Sequence, residues 1–151
     1  MNPQDVVGIV DHTLLAPEAT KEDVLALLDE AERLGTFSVC VSPTQLPLPR
    51  ETTVKVAAVC GFPSGAHSAS VKAAEAKELA EAGVDEIDMV INVGKAKEGD
   101  FDYIQSEIQA VLDAAPNVLL KVIIESAALT DDEIVAACRA SVAAKADYVK
   151  T

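Results

Sequence analysis

Glu86-Ile87-Asp88-Met89-Val90-Ile91-Asn92 is the stretch on which the fold turns. Successive side chains of a strand point to opposite faces. Glu86, Asp88 and Asn92 therefore share one face, and Ile87, Met89 and Ile91 the other. The same parity recurs elsewhere. Lys121 and Glu125 fall together in Leu119-Leu120-Lys121-Val122-Ile123-Ile124-Glu125. Ser38, Cys40 and Ser42 fall together in Phe37-Ser38-Val39-Cys40-Val41-Ser42, and Lys150 stands opposite Val149 in Tyr148-Val149-Lys150-Thr151. Each strand thus has one apolar face and one face of isolated polar groups. A doubly wound sheet buries both faces under helices and should avoid this pattern. A barrel packs its outer face on helices and carries ionisable groups inside, toward its C-terminal mouth. Parity favours the barrel. An open flavodoxin-like binding domain, with helices on both sheet faces and no shared polar lumen, stays as the alternative.

Around that stretch the chain alternates between two textures. β-Branched runs at 37–41, 54–59, 86–91, 119–124 and from 148 onward predict buried parallel strands. Thr20 with Glu22 and Asp23 predicts a helix start; Val24, Leu27, Leu28 and Ala31 follow at helical spacing, and Gly35 stops it. A second helix is predicted over about 70–82, stopped by Gly83. A third carries Ile104, Ile108, Val111 and Leu112 and ends before Pro116. A fourth opens on the capping box Thr130-Asp131-Asp132-Glu133 and is predicted to bury Ile134, Ala137, Cys138, Ser141 and Val142. Pro43, Pro47 and Pro49 predict loop or one short turn between the strands at 37–41 and 54–59. Strands alternating with helices mean a parallel α/β sheet.

Composition sets limits. The chain has 151 residues, half of them hydrophobic, 3% aromatic, with no Trp. That is one domain, 1–151, by length, and short for an eight-unit βα barrel, which typically needs about 250 residues. Net charge is −13, which repels phosphate backbones and anionic membranes, so neither nucleic acid nor a membrane is an expected partner. Cys40, Cys60 and Cys138 are odd in number and lack metal-ligand spacing; a reducing compartment fits better than disulfides. The start of the chain has no basic, apolar leader, so a soluble, cytoplasmic protein is expected.

Lys150, Lys121 and Asp88 fall on the polar faces of three consecutive strands. Burial and a neighbouring cation both disfavour a protonated lysine. To be half neutral at pH 7 a lysine must drop about 3.4 units, and a neutral amine adds to carbonyls to give a Schiff base, with Asp88 placed to move protons. The plain alternatives are that Lys150 snorkels to water and that Lys121 pairs with Glu125. Gly61-Phe62-Pro63-Ser64-Gly65 reads as a structural turn ahead of a phosphate cradle, because no P-loop Lys/Ser follows. Asp11-His12-Thr13 reads as a polar cluster in which His12 is a hydrogen-bonded structural histidine. His67 reads as solvated and Cys40 as a small core or lumen residue.

Six segments, taken in order, carry a family resemblance. They are Ile9-Val10-Asp11-His12-Thr13-Leu14-Leu15, Val39-Cys40-Val41-Ser42-Pro43, Val59-Cys60-Gly61-Phe62-Pro63-Ser64-Gly65, Asp85-Glu86-Ile87-Asp88-Met89-Val90, Leu119-Leu120-Lys121-Val122-Ile123-Ile124-Glu125 and Ala146-Asp147-Tyr148-Val149-Lys150-Thr151. Together the chain resembles the deoxyribose-phosphate aldolases, class I aldolases of the TIM-barrel fold. The resemblance implies an α/β chain of the (β/α)8-barrel family, here its N-terminal five and a half βα units, an incomplete barrel ending in the sixth strand. It implies Lys150 as the Schiff-base lysine, Asp88 as the proton-transfer acid and Lys121 as a second lysine of the site. Asp11, Thr13 and Cys40 would lie beside the substrate. It also implies cleavage of 2-deoxy-D-ribose 5-phosphate to acetaldehyde and D-glyceraldehyde 3-phosphate without metal or organic cofactor. Family members continue past Lys-Thr with Ser-Thr-Gly and two further βα units, expected to bring another lysine and the phosphate loops. Without them the sheet edges would be open, so a homo-oligomer through those edges is expected. The alternative is an inactive barrel fragment serving as a folding or self-association module.

Overall fold

The computed structural model describes residues 2–151, so Met1 of the N-terminal reading lies outside the described residues. In chain order the elements are α1 (Pro3–Val7), β1 (Asp11–Leu14), α2 (Lys21–Leu34), β2 (Ser38–Val41), β3 (Lys55–Cys60), α3 (Ala69–Glu81), β4 (Glu86–Val90), α4 (Val93–Lys97), α5 (Phe101–Ala114), β5 (Leu119–Ile123), α6 (Asp131–Ala143) and β6 (Tyr148–Lys150). Strand order is sequential, β1-β2-β3-β4-β5-β6, and the registered pairs are parallel. A doubly wound sheet reverses its strand order at a switch point; this order does not reverse. The fold class is α/β of the (β/α)8-barrel type, with six strands among the described residues. Two compact units, Met1–Ala58 and Val59–Thr151, divide the chain.

In the first unit, α2 begins where the Thr20 side chain accepts from the Asp23 amide while the Asp23 carboxylate accepts from the Thr20 amide. It ends at Gly35, whose φ of 74° is the left-handed cap that glycine adopts without a Cβ penalty. Its buried stripe of Val24, Leu27, Leu28 and Ala31 clusters with Val39 and Val41 of β2. Arg50 closes this unit's surface, donating to both oxygens of Glu32 and to Asp29. The proline-rich stretch gives one 3-10 turn, Pro43–Gln45, as expected. β1 was missing from the β-branched runs because Asp11-His12-Thr13 gives it a polar texture; its register partners are Ser38 to Val41.

In the second unit, Ile87 and Met89 of β4 and Leu120 and Val122 of β5 are buried on the face opposite the polar one. So are Ala76 and Leu79 of α3, Ile104, Ile108 and Val111 of α5, and Ala137 and Ala140 of α6. The Thr130 capping box opens α6 as expected. The predicted burial of Val142 is wrong. It is 72% exposed, because α6 turns Ala137, Ala140 and Ser141 inward, which leaves Cys138 and Ile134 only partly covered. α4 escaped prediction because five residues carry no periodic signal; Asn92 caps it by accepting from the Lys95 amide.

Candidate functional site

Parallel pairing puts registered residues on the same face. Asp88 is opposite Lys121, and Lys121 is opposite Tyr148. Val90 is opposite Ile123, and Ile123 is opposite Lys150. Lys150 therefore stands one inward-facing row further along the strands than Asp88 and Lys121, and its side chain reaches back. Besides the ladder with β5, the backbone of β6 is held there at both ends: the Ile124 amide donates to the Lys150 carbonyl at 2.9 Å, and the Asp147 amide to the Leu120 carbonyl at 3.1 Å.

The side chains meet at Asp88. Lys150 Nζ donates to Asp88 Oδ2 at 2.5 Å, and Lys121 Nζ lies 3.6 Å from Asp88 Oδ1. Lys121 also pairs with Glu86, two residues earlier on the same face. This gives two ammonium groups and two carboxylates in a graded depth: Asp88 is fully buried, Lys121 11% exposed and Lys150 35% exposed by side chain. Each charge has a counter-charge, as charges removed from water require. The expectation that Asp88, Lys121 and Lys150 come together is met geometrically. The plain alternative of a Lys121–Glu125 pair is replaced by pairing with Glu86 and Asp88. Glu125 is exposed in a left-handed turn, φ 52°, after β5. Asn92, read with Asp88 by parity, lies beyond β4 and serves as the helix cap.

Asp11, Thr13 and Cys40 belong to the first unit. Asp11 accepts from Ser38 Oγ at 2.7 Å, and Thr13 is the register partner of Cys40, which is buried. They share one face of β1 and β2. His12, on the other face, forms a 2.9 Å hydrogen-bonded pair with Glu30, the structural role expected of it. His67 is exposed, as expected.

One charged cluster was not foreseen. Lys72 of α3 and Glu107 of α5 are fully buried and bonded at 2.7 Å. Lys72 also donates to the Val90 carbonyl at 2.8 Å, and Glu107 Oε1 accepts from the Asn92 amide at 2.7 Å. Burial pushes the Glu107 carboxyl above its ordinary value, while Lys72 and the Asn92 amide pull it back. The available signal was positional: Lys72 precedes Ala76 and Leu79 by four and seven residues, and Glu107 sits inside the stripe of Ile104, Ile108 and Val111. Nearby, burial and Glu75 push the Cys60 thiol well above its ordinary value, and its Sγ donates to the Lys72 carbonyl. A protonated, buried thiol is unreactive.

The Gly61–Gly65 turn has a packing role. The Gly65 amide donates to the Gly61 carbonyl at 2.8 Å, and the Glu75 carboxylate accepts from the Gly61 amide. A Cβ on Gly65 would lie 1.8 Å from the Ile91 carbonyl oxygen. Among the described residues no group of three or more His, Cys, Asp or Glu is arranged to hold a metal ion, and no helix is long and apolar enough to cross a membrane.

Sequential parallel strands of the (β/α)8 type, bearing paired lysines and carboxylates on one face, define the class: a barrel-type α/β chain with a polar site on its strands. Comparison with known proteins narrows it. Residues 6–151 match the model of the DeoC/LacD family aldolases, and the chain belongs to that family. It is 58% identical over 148 residues to the deoxyribose-phosphate aldolase of Corynebacterium diphtheriae, covering 97% of this chain and 68% of that protein. To that of Kocuria rhizophila it is 55% identical with the same coverage. Among solved structures it superposes on the tetrameric deoxyribose phosphate aldolase of Aeropyrum pernix with a TM-score of 0.90 at 31% identity, covering 99% of this chain and 65% of that one. The chain thus spans about two thirds of the length of these relatives.

Proposed function

We propose that the chain carries, as one domain, the Schiff-base chemistry of a deoxyribose-phosphate aldolase, with Lys150 as nucleophile. The observation that carries this reading is the 2.5 Å contact between Lys150 Nζ and the fully buried Asp88 carboxylate. An ammonium has no lone pair. At rest the carboxylate holds the amine as its ammonium; the reactive minority form arises when one proton passes from Lys150 to Asp88 across that contact, which frees the amine and leaves a neutral acid beside it. Lys121 adds positive field to the same carboxylate and to its neighbour Glu86.

The free amine adds to the C1 aldehyde of open-chain 2-deoxyribose 5-phosphate. Asp88 returns a proton as the carbinolamine loses water, giving an iminium. The C3 hydroxyl then gives its proton to Asp88. The C2–C3 bond breaks, its electron pair moving toward the iminium nitrogen, and glyceraldehyde 3-phosphate leaves. The remaining enamine is protonated at C2, and water releases acetaldehyde and regenerates the lysine. The iminium is itself the electron sink. Substrate contact by Asp11, Thr13 and Cys40 belongs to the same proposal and rests on the sequence resemblance.

Incubation with acetaldehyde and borohydride, followed by peptide mass spectrometry, tests it. A reduced two-carbon adduct on Lys150, absent in Lys150→Met and weakened in Asp88→Asn, is expected. An adduct spread over the exposed lysines, with none at Lys150 in folded protein, refutes it. The self-association reading has its own support: Val142 on α6 and Tyr148 and Val149 on β6 are exposed. A size-exclusion mass above one chain that falls to one chain in Val142→Glu would favour it.

A further inference from the structure

We propose that Lys72 and Glu107 are positioning residues: a buried strut that fixes the C-terminal end of β4 so that Asp88 meets Lys150. The proposal rests on the reading of Asp88 and Lys150 as the reacting pair. The strut joins three elements. Lys72 comes from α3 and Glu107 from α5, and the two backbone groups they bind, the Val90 carbonyl and the Asn92 amide, flank the point where β4 ends. Asp88 lies two residues before the first of those anchors and on the same face as Val90.

The Ile91 amide donates to the Ile123 carbonyl, but the Val90 carbonyl and Asn92 amide bracket that bond and turn to the strut. Two further features hold the strut itself. The Lys72 stem packs on the Gly61 backbone, where an added Cβ would come within 3.0 Å of Lys72 Cε. The Lys72 carbonyl accepts from Cys60 Sγ at 3.3 Å. A charged pair is also an uneconomical way merely to fill this space. Apolar residues of similar volume commonly serve a buried site as well or better, but they cannot bind a carbonyl and an amide. Those two bonds are what this pair adds.

The test compares two doubly neutral variants of the chain. K72M/E107L removes both anchors. K72M/E107Q removes the charge but keeps a carbonyl oxygen for the Asn92 amide. Trace labelling with acetic anhydride at fixed pH, read by mass spectrometry as the ratio of Lys150 to the exposed Lys77, reports how firmly Asp88 holds the amine. An opposing charge at contact distance favours the charged amine by one or more pKa units, so its displacement raises labelling about tenfold or more. We expect that rise in K72M/E107L and recovery to within about twofold of the parent in K72M/E107Q. A ratio unchanged in K72M/E107L, or raised equally in both, overturns the proposal, because a purely stabilising pair would alter melting without altering Lys150. Should K72M/E107L fail to fold, amide exchange in the parent decides. Asn92 exchanging as slowly as Met89 supports the strut, and Asn92 opening locally overturns it. Neither readout uses an aldehyde, so a failure of borohydride trapping leaves both intact.

Discussion

Replacing Gly65 by alanine should cost far more than the same change at Gly83 or Gly35, although all three have left-handed backbones. Their φ values are 66°, 82° and 74°, and a Cβ at Gly83 or Gly35 would meet nothing within 4 Å. For those two the cost is the left-handed penalty of about 1–2 kcal/mol, less about 0.4–1 kcal/mol gained by stiffening the unfolded chain. A net loss of about 1 kcal/mol follows. At Gly65 the added carbon would stand 1.8 Å from Ile91 O, 2.8 Å from Ile91 C and 3.0 Å from Val90 Cγ1. An ordinary carbon–oxygen contact is about 3.3 Å, so turn and strand must part by about 1.5 Å. The Ile91 peptide cannot yield freely, since its amide is bonded to Ile123 O at 3.1 Å. Overpacking of this kind costs about 1–3 kcal/mol or more, and a broken buried backbone bond adds about 1–3 kcal/mol. Gly65→Ala should therefore lie about 3 kcal/mol or more below Gly83→Ala. Urea unfolding followed by circular dichroism, with slopes checked for constancy, measures the difference. Gly65→Ala unfolding within about 1 kcal/mol of Gly83→Ala would refute the geometry.

Two further outcomes follow from the charges. Lys72→Met leaves the Glu107 carboxylate buried without its cation and should cost about 3–5 kcal/mol at pH 7, part of it recovered in K72M/E107L, which still takes the side-chain partners from the Val90 carbonyl and Asn92 amide. Glu107 sits above its ordinary value, so its contribution is present below about pH 4.3 and is lost as pH rises. The Lys72→Met deficit should accordingly shrink in acid, and a deficit independent of pH would count against a charged Glu107. Glu32 has the opposite sign. Hydrogen bonds from Arg50, Thr52 and the Thr53 amide hold it at about 2, so its contribution is present above about pH 4.3 and lost as pH falls toward 2. Glu32→Gln should flatten the fall of Tm across that acid interval, as thermal melts in a pH series would show; an unchanged slope would refute the assignment.

The sequence made the site more legible than the periphery. Strand parity works where a strand has one apolar and one polar face, as at Glu86-Ile87-Asp88-Met89, and it placed Asp88, Lys121 and Lys150 on one face before any contact was known. It fails at strand ends, where the two-residue period lapses; Asn92 and Glu125 continued the pattern on paper and left it in space. Helix caps such as Thr20 and Thr130 were readable because they are local. Val142 departs from its expected burial because helical spacing identifies a stripe without saying which edge of it is covered. Lys72 and Glu107 are not legible from sequence because a charge in an apolar stripe is ordinarily a surface residue, and only a partner 35 positions away in sequence makes it a core one.

The one-row offset of Lys150 from Asp88 has a consequence for chemical footprinting. The Lys150 side chain is 35% exposed and that of Asp88 is not exposed at all, so the two residues present themselves to solvent in a fixed sequence. An amine-directed reagent has its target in reach. A carbodiimide aimed at Asp88 must wait until the lysine arm is lifted away. Acylating Lys150 would therefore unmask Asp88, and the order in which two mild reagents are added should decide which residues carry label.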